Sequence, residues 1–101
     1  MIYKMVTFRV KSEKIQDVLT AVEALENGIC SHEPDTLRYE SFQKRDDPGA
    51  FVHIMIFRNP AAEEQHRNSA HVKAFTKLLY PVCEILPEFS ELLRIGDSPL
   101  S

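Results

Sequence analysis

The sequence predicts an α+β fold in which two helices cover one face of a four-stranded antiparallel sheet. Three observations lead there. Four segments have the apolar alternation of strands, and Ile15 to Ile29 repeats its apolar residues at helical spacing. Asn59 to Pro81 opens with a helix-start signature, so the order is strand, helix, strand, strand, helix, strand. With 101 residues, the chain is one domain, and a chain of this size buries roughly two-thirds of its unfolded surface.

The first strand is Ile2 to Val10, where Ile2, Val6, Phe8 and Val10 alternate with Tyr3, Met5, Thr7 and Arg9. Ser12 is expected to cap the first helix, with Glu13 near the positive end of its dipole. Ile15, Val18, Leu19, Val22, Leu25 and Ile29 form its core-facing stripe, and Asn27-Gly28 marks its fraying end. Thr36 to Lys44 is the second strand, with Leu37, Tyr39 and Ser41 on one face and Arg38, Glu40 and Phe42 on the other. Asp46-Asp47-Pro48-Gly49 reads as a turn and Phe51 to Phe57 as the third strand.

Asn59 caps the next helix with Pro60 in its first turn, where a missing N–H costs nothing. The apolar rhythm breaks at His66-Arg67-Asn68-Ser69 and restarts with Val72, Phe75, Leu79 and Val82 on one face. A Pro81 to Leu86 connector leads to a last strand, Glu88 to Ile95. The domain is expected to span residues 1–96, with 97–101 a polar tail. The whole is the ferredoxin-like split β-α-β-β-α-β arrangement.

The apolar fraction is 44%, the charged fraction 27% and the net charge −3, with both signs interleaved. Nothing in this balance favours nucleic acid or an acidic membrane surface as a partner. No apolar run approaches the roughly 20 residues that span a bilayer. Cys30 and Cys83 are far apart without metal or redox spacing, and are expected to be buried free thiols of a cytosolic, cytoplasmic protein. No metal set, Walker loop, GxGxxG or GxSxG is present, so neither metal nor cofactor is expected.

The third strand makes a physical demand. Phe51, His53, Met55 and Phe57 point one way, and Val52, Ile54 and Ile56 the other. Two helices cover only one face, and an apolar patch on the other is rarely left in water. Burying each such residue is worth about 1.5–3 kcal/mol, so a two-fold homodimer packed sheet on sheet is expected.

LRYESFQKRDDPGAFVHIMIF resembles the second and third strands of antibiotic biosynthesis monooxygenase (ABM) domains, with a Tyr-bearing strand, an Asp-Pro turn and an aromatic-led strand. HRNSAHVKAF is similar to that family's helix signature, whose positions are filled here by His66, Ser69, His71 and Phe75. The resemblance runs from Met1 to about Gly96. It implies a dimeric α+β barrel with a pocket between sheet and helices, and chemistry ranging from cofactor-free oxygenation of quinol-like compounds to haem degradation and sugar-phosphate isomerisation. Met55 and Phe57 stand where typical members carry Glu-x-Trp. Haem-degrading members rely on a first-strand Asn and a Trp; this chain has no Trp, and its first Asn is Asn27. Haem degradation is disfavoured.

Oxygen reacts slowly with closed-shell organic molecules, so an oxygenase without metal or flavin must make its substrate electron-rich by deprotonation in an apolar pocket. His titrates near neutrality and suits the base. His66 or His71 is the candidate base, with Tyr39, His53, Asn68, Ser69 and Phe75 as candidate substrate contacts. Each has a plainer explanation. His66 could end the first helical piece, Ser69 or Asn68 could cap the second, and His71 could bond to backbone. His53 could sit in the dimer interface, Tyr39 could only pack, and Glu63-Glu64 reads as a solvated face. Three functions therefore stand: a cofactor-independent monooxygenase on a small phenolic or quinone-like compound, an isomerase or lyase on a small carbonyl compound, and a non-catalytic dimeric small-molecule-binding module.

Overall fold

The structure is a computed structural model of the chain and describes residues 1–96; the expected tail at 97–101 lies outside the described residues. Its strands are β1 (Ile2–Val10), β2 (Thr36–Lys44), β3 (Asp47–Phe57) and β4 (Cys83–Leu92), and its helices are α1 (Ile15–His32), α2 (Pro60–Asn68) and α3 (Ala70–Leu79). The sheet order is β2-β3-β1-β4 with every pairing antiparallel. This is the expected ferredoxin-like α+β fold, with the second helix delivered in two pieces.

Alternation in β3 sets the layers. Phe51, His53, Met55 and Phe57 are buried beside Val6, Phe8 and Val10 of β1. Val18, Val22, Leu25 and Ile29 of α1 and Phe75 and Leu79 of α3 close over them in one core. The other face carries Val52, Ile54 and Ile56, in register with Thr7, Met5 and Tyr3 on one side and Phe42, Glu40 and Arg38 on the other. These apolar β3 side chains are only half-buried and Phe42 is exposed, because all three helices pack on the opposite face.

Several expected boundaries move. Ser12 does not cap α1: Ser12–Lys14 forms a 3-10 turn, closed by the Lys14 amide donating to the Lys11 carbonyl at 2.9 Å. Asn27-Gly28 does not end the helix, which continues to His32. A Cβ on Gly28 would meet Cβ and Cγ of His71 at 2.5 Å, so this glycine lets α1 and α3 approach closely. β3 begins at Asp47, leaving Arg45 and Asp46 as the turn. Pro48 and Gly49 sit opposite a register shift of β2, and a Cβ on Gly49 would meet the Val10 carbonyl at 2.9 Å.

β4 starts at Cys83, five residues before the expected Glu88, and ends at Leu92. Pro87 misled the reading. It lies on an edge strand at a bulge, where Leu86 and Pro87 together oppose Phe8, so its missing N–H breaks no regular ladder. Val82 belongs to a 3-10 turn, Tyr80–Val82, after α3 has ended before Pro81. Cys30 is exposed on α1 and not buried; Cys83 is half-buried, and both thiols are free.

Candidate functional site

The core does not close completely. Between the helix-facing side of the sheet and α2–α3 lies a cavity of about 400 Å³. Phe8, Met55, Phe57, Phe75 and Leu79 give it an apolar floor and sides, and Tyr39, His53 and His66 supply its deep polar groups. Lys4, Glu63, Arg67 and Lys73 also line it, as do the exposed rings of Tyr80 and Phe89.

Strand register places Tyr39 opposite Met55 and Ser41 opposite His53, so Tyr39 and His53 emerge on the helix side of neighbouring strands. The Tyr39 hydroxyl lies 2.7 Å from His53 Nδ1. Burial raises the phenol far above its ordinary range, so the hydroxyl keeps its proton. Burial, helped by the nearby His66, pushes His53 down to about 4 and keeps its imidazole neutral. The pair is therefore a neutral O–H donating to Nδ1, which fixes His53 as the tautomer protonated at Nε2. Among the described residues that Nε2 is buried with no hydrogen-bond partner, and Ser41 Oγ is the other such atom.

Glu33 organises the second polar group. It follows α1 immediately and its amide caps the helix by donating to the Ile29 carbonyl at 2.9 Å. Its side chain is 1% exposed. The carboxylate accepts from the Thr36 hydroxyl at 2.6 Å, from His66 Nδ1 at 2.9 and 3.1 Å, and from His71 Nε2. Burial alone would raise Glu33, but the bonds from Thr36 and His71 and the approach of His66 outweigh it, and the group lies below the ordinary carboxylate range. An ionised carboxylate only accepts, so His66 must carry its proton on Nδ1. Among the described residues its Nε2 has no hydrogen-bond partner, and the ring lines the cavity. Burial lowers His66 while Glu33 opposes the shift.

Ser69 brings the two helices to this point. Its extended backbone ends α2 and starts α3; its hydroxyl donates to the His66 carbonyl at 2.7 Å and accepts from the Val72 amide at 3.3 Å. Asn59 caps α2, accepting from the Ala62 amide at 2.9 Å. Of the residues singled out in the sequence, Tyr39, His53, His66 and Phe75 line the cavity. His71 does not: it turns to Glu33 rather than to backbone. Asn68 is exposed at the end of α2, and Ser69 acts as a cap; neither lines the cavity. His53 faces the helices rather than the open face of the sheet. Glu63 is not solvated but largely buried, paired with Lys4 and, at 3.7 Å, with Arg67.

Glu33 escaped the sequence reading because its two histidine partners are 33 and 38 residues away, and no local pattern joins them. A lone acid between a helix end and Pro34 was its only signal. Among the described residues no group of three or more His, Cys, Asp or Glu is placed to hold a metal ion, and no helix is long and apolar enough to cross a membrane.

A family model described as antibiotic biosynthesis monooxygenase matches residues 1–78. Among solved structures, the crystal structure of an antibiotic biosynthesis monooxygenase is 25% identical with a TM-score of 0.85, over 95% of this chain and 100% of that one. A Pseudomonas aeruginosa protein is 22% identical with a TM-score of 0.82, over 94% of each chain. A conserved protein from Methanosarcina mazei Go1 is 21% identical with a TM-score of 0.82, over 90% of this chain and 89% of that one. Both of these show the fold alone. Among curated proteins nothing matches.

Proposed function

The chain belongs to the antibiotic biosynthesis monooxygenase family, and from that premise we propose that it oxygenates a small phenolic compound with O2, using its own side chains in place of a cofactor. One observation carries the reading. His66 is held by Glu33 through Nδ1, so that its basic Nε2 is left to an apolar chamber, whose size lies within the roughly 300–1,000 Å³ of small-molecule sites.

The chemistry suits a phenol with hydrogen at its para carbon. His66 Nε2 removes the O–H proton, and Glu33 stabilises the imidazolium that results. The Nε2–H of His53, with no partner of its own, donates to the developing phenolate oxygen. The electron-rich ring passes two electrons, one after the other, to O2 and forms a C–O bond at the para carbon. His66 returns its proton to the distal oxygen, giving a ring hydroperoxide. Loss of water, with departure of the para C–H proton, leaves a carbonyl. In sum, phenol and O2 become quinone and water.

The working unit in this reading is a homodimer, which would bury Val52, Ile54, Ile56 and Phe42 on the face the helices leave uncovered. Light scattering that finds only the monomer mass removes that part.

Oxygen uptake across a panel of phenols and hydroquinones tests the chemistry. The expected result is one O2 consumed per quinone formed, at a rate that falls at least about a hundredfold in His66→Ala. Proton exchange at an acidic C–H without oxygen consumption would instead mark an isomerase or lyase. Binding without either reaction would leave a non-catalytic module.

A further inference from the structure

Resting on that reading, we infer that the substrate carries a carboxylate at the end of the ring system remote from His53 and His66, received by Lys4, Arg67 and Lys73. The deep end of the cavity is neutral or self-paired: Tyr39 bonds to His53, and His66 bonds to Glu33. The shallower lining is different. Lys4 and Arg67 both reach Oε2 of Glu63, the single carboxylate among the lining residues. Two cations thus share one anion. Lys73, exposed on α3, lines the same cavity and has no ion-pair partner among the described residues. Glu91 faces Lys4 across the β1–β4 ladder but lies outside the cavity lining.

The excess among the lining charges is positive, and its cations are more exposed than the buried His53 and His66, in a chain whose net charge is −3. A neutral phenol would leave this charge unused. A carboxylated one gains attraction to these cations, an attraction that salt screens because Arg67 and Lys73 are exposed. It is also oriented, since the carboxylate at the mouth points the phenol toward the histidines.

Binding of 6-hydroxy-2-naphthoic acid and 2-naphthol, followed by calorimetry or naphthol fluorescence at neutral pH, tests this directly. Wild type should prefer the acid by about five- to tenfold. The preference should shrink in Lys73→Gln, in Arg67→Gln and in about 0.5 M salt. Lys77→Gln, exposed on the same helix but outside the cavity, should keep it. Equal affinities in wild type, or a preference that survives both Lys73→Gln and Arg67→Gln, overturn the carboxylate inference. They leave His66-dependent oxygen uptake untouched. Failure of both probes to bind overturns the inference together with the ring-binding cavity beneath it.

Discussion

His53 and His66 line one cavity, their rings 5.3 and 5.6 Å from that of Tyr39, yet only His66 has a carboxylate in reach. Both are buried and burial lowers both. At His53 nothing opposes the shift, because its partner is a phenol that keeps its proton. At His66 the Glu33 carboxylate does oppose it. The comparison teaches that depth alone yields a neutral donor, whereas depth with a buried anion yields a group able to accept a proton and hold the charge.

The sharpest way to break this contrast is to remove each ring. His66→Ala should lower turnover by about 10²–10⁴-fold while leaving probe affinity within a few-fold, as expected of a group that moves a proton. His53→Gln keeps a donor and should cost less. Equal losses of turnover, measured by oxygen uptake, would erase the distinction.

Next is the response of stability to pH. His53 is protonated near 6.5 when unfolded and only at about 4 when folded, so the unfolded chain binds the extra proton between those values. Its contribution is whole above pH 6.5 and is lost as pH falls toward 4, by about 3 kcal/mol. Urea unfolding at several pH values should show that acid loss in wild type and a shallower one in His53→Gln. His66 acts in the same direction; Glu33, lowered on folding, adds a loss only below the ordinary carboxylate range.

Glu33→Gln then isolates the carboxylate. It keeps an acceptor but removes the charge, so turnover should fall about 10–100-fold, the usual effect of losing a group that orients a reacting side chain. The acid limb of the rate profile should move to lower pH, because the main opposition to the burial of His66 is gone and only the weaker pull of Glu63 remains. An unchanged profile would deny Glu33 its role.

The mildest change is Gly28→Ala. Its Cβ would press on His71 at 2.5 Å, separating α1 from α3, at about 1–3 kcal/mol. The Tyr39–His53 bond should survive, and the Glu33 cluster should loosen. Thermal unfolding, together with the rate profile, separates these effects.

The same contrast explains what could be read from the residues alone. Alternation in FVHIMIF and the helical stripe from Ile15 to Ile29 are local, so both strand faces and α1 were legible. The Asn59 cap, Pro60 and the polar break around Ser69 were legible for the same reason. Pro48 and Pro87 concealed strand that continues through register shifts, because tolerance of a missing N–H depends on the neighbouring strand. Gly28 read as a helix end because the reason for it is His71, on another helix. Of the cavity-lining candidates, His53 was visible as a polar residue interrupting an apolar strand and His66 as part of the helix break, whereas Tyr39 and Phe75 stood out through the family resemblance. Glu33 was not visible, since only the fold brings the end of α1 to the α2–α3 junction.

NMR titration of the four imidazoles in wild type and Glu33→Gln addresses the division of labour most directly. His53 should stay neutral down to about pH 4 in both proteins. His66 should titrate below its ordinary value in wild type and lower still in Glu33→Gln. A His53 that titrates near 6.5, or a His66 indifferent to the loss of Glu33, would contradict the assignment of donor to one ring and base to the other.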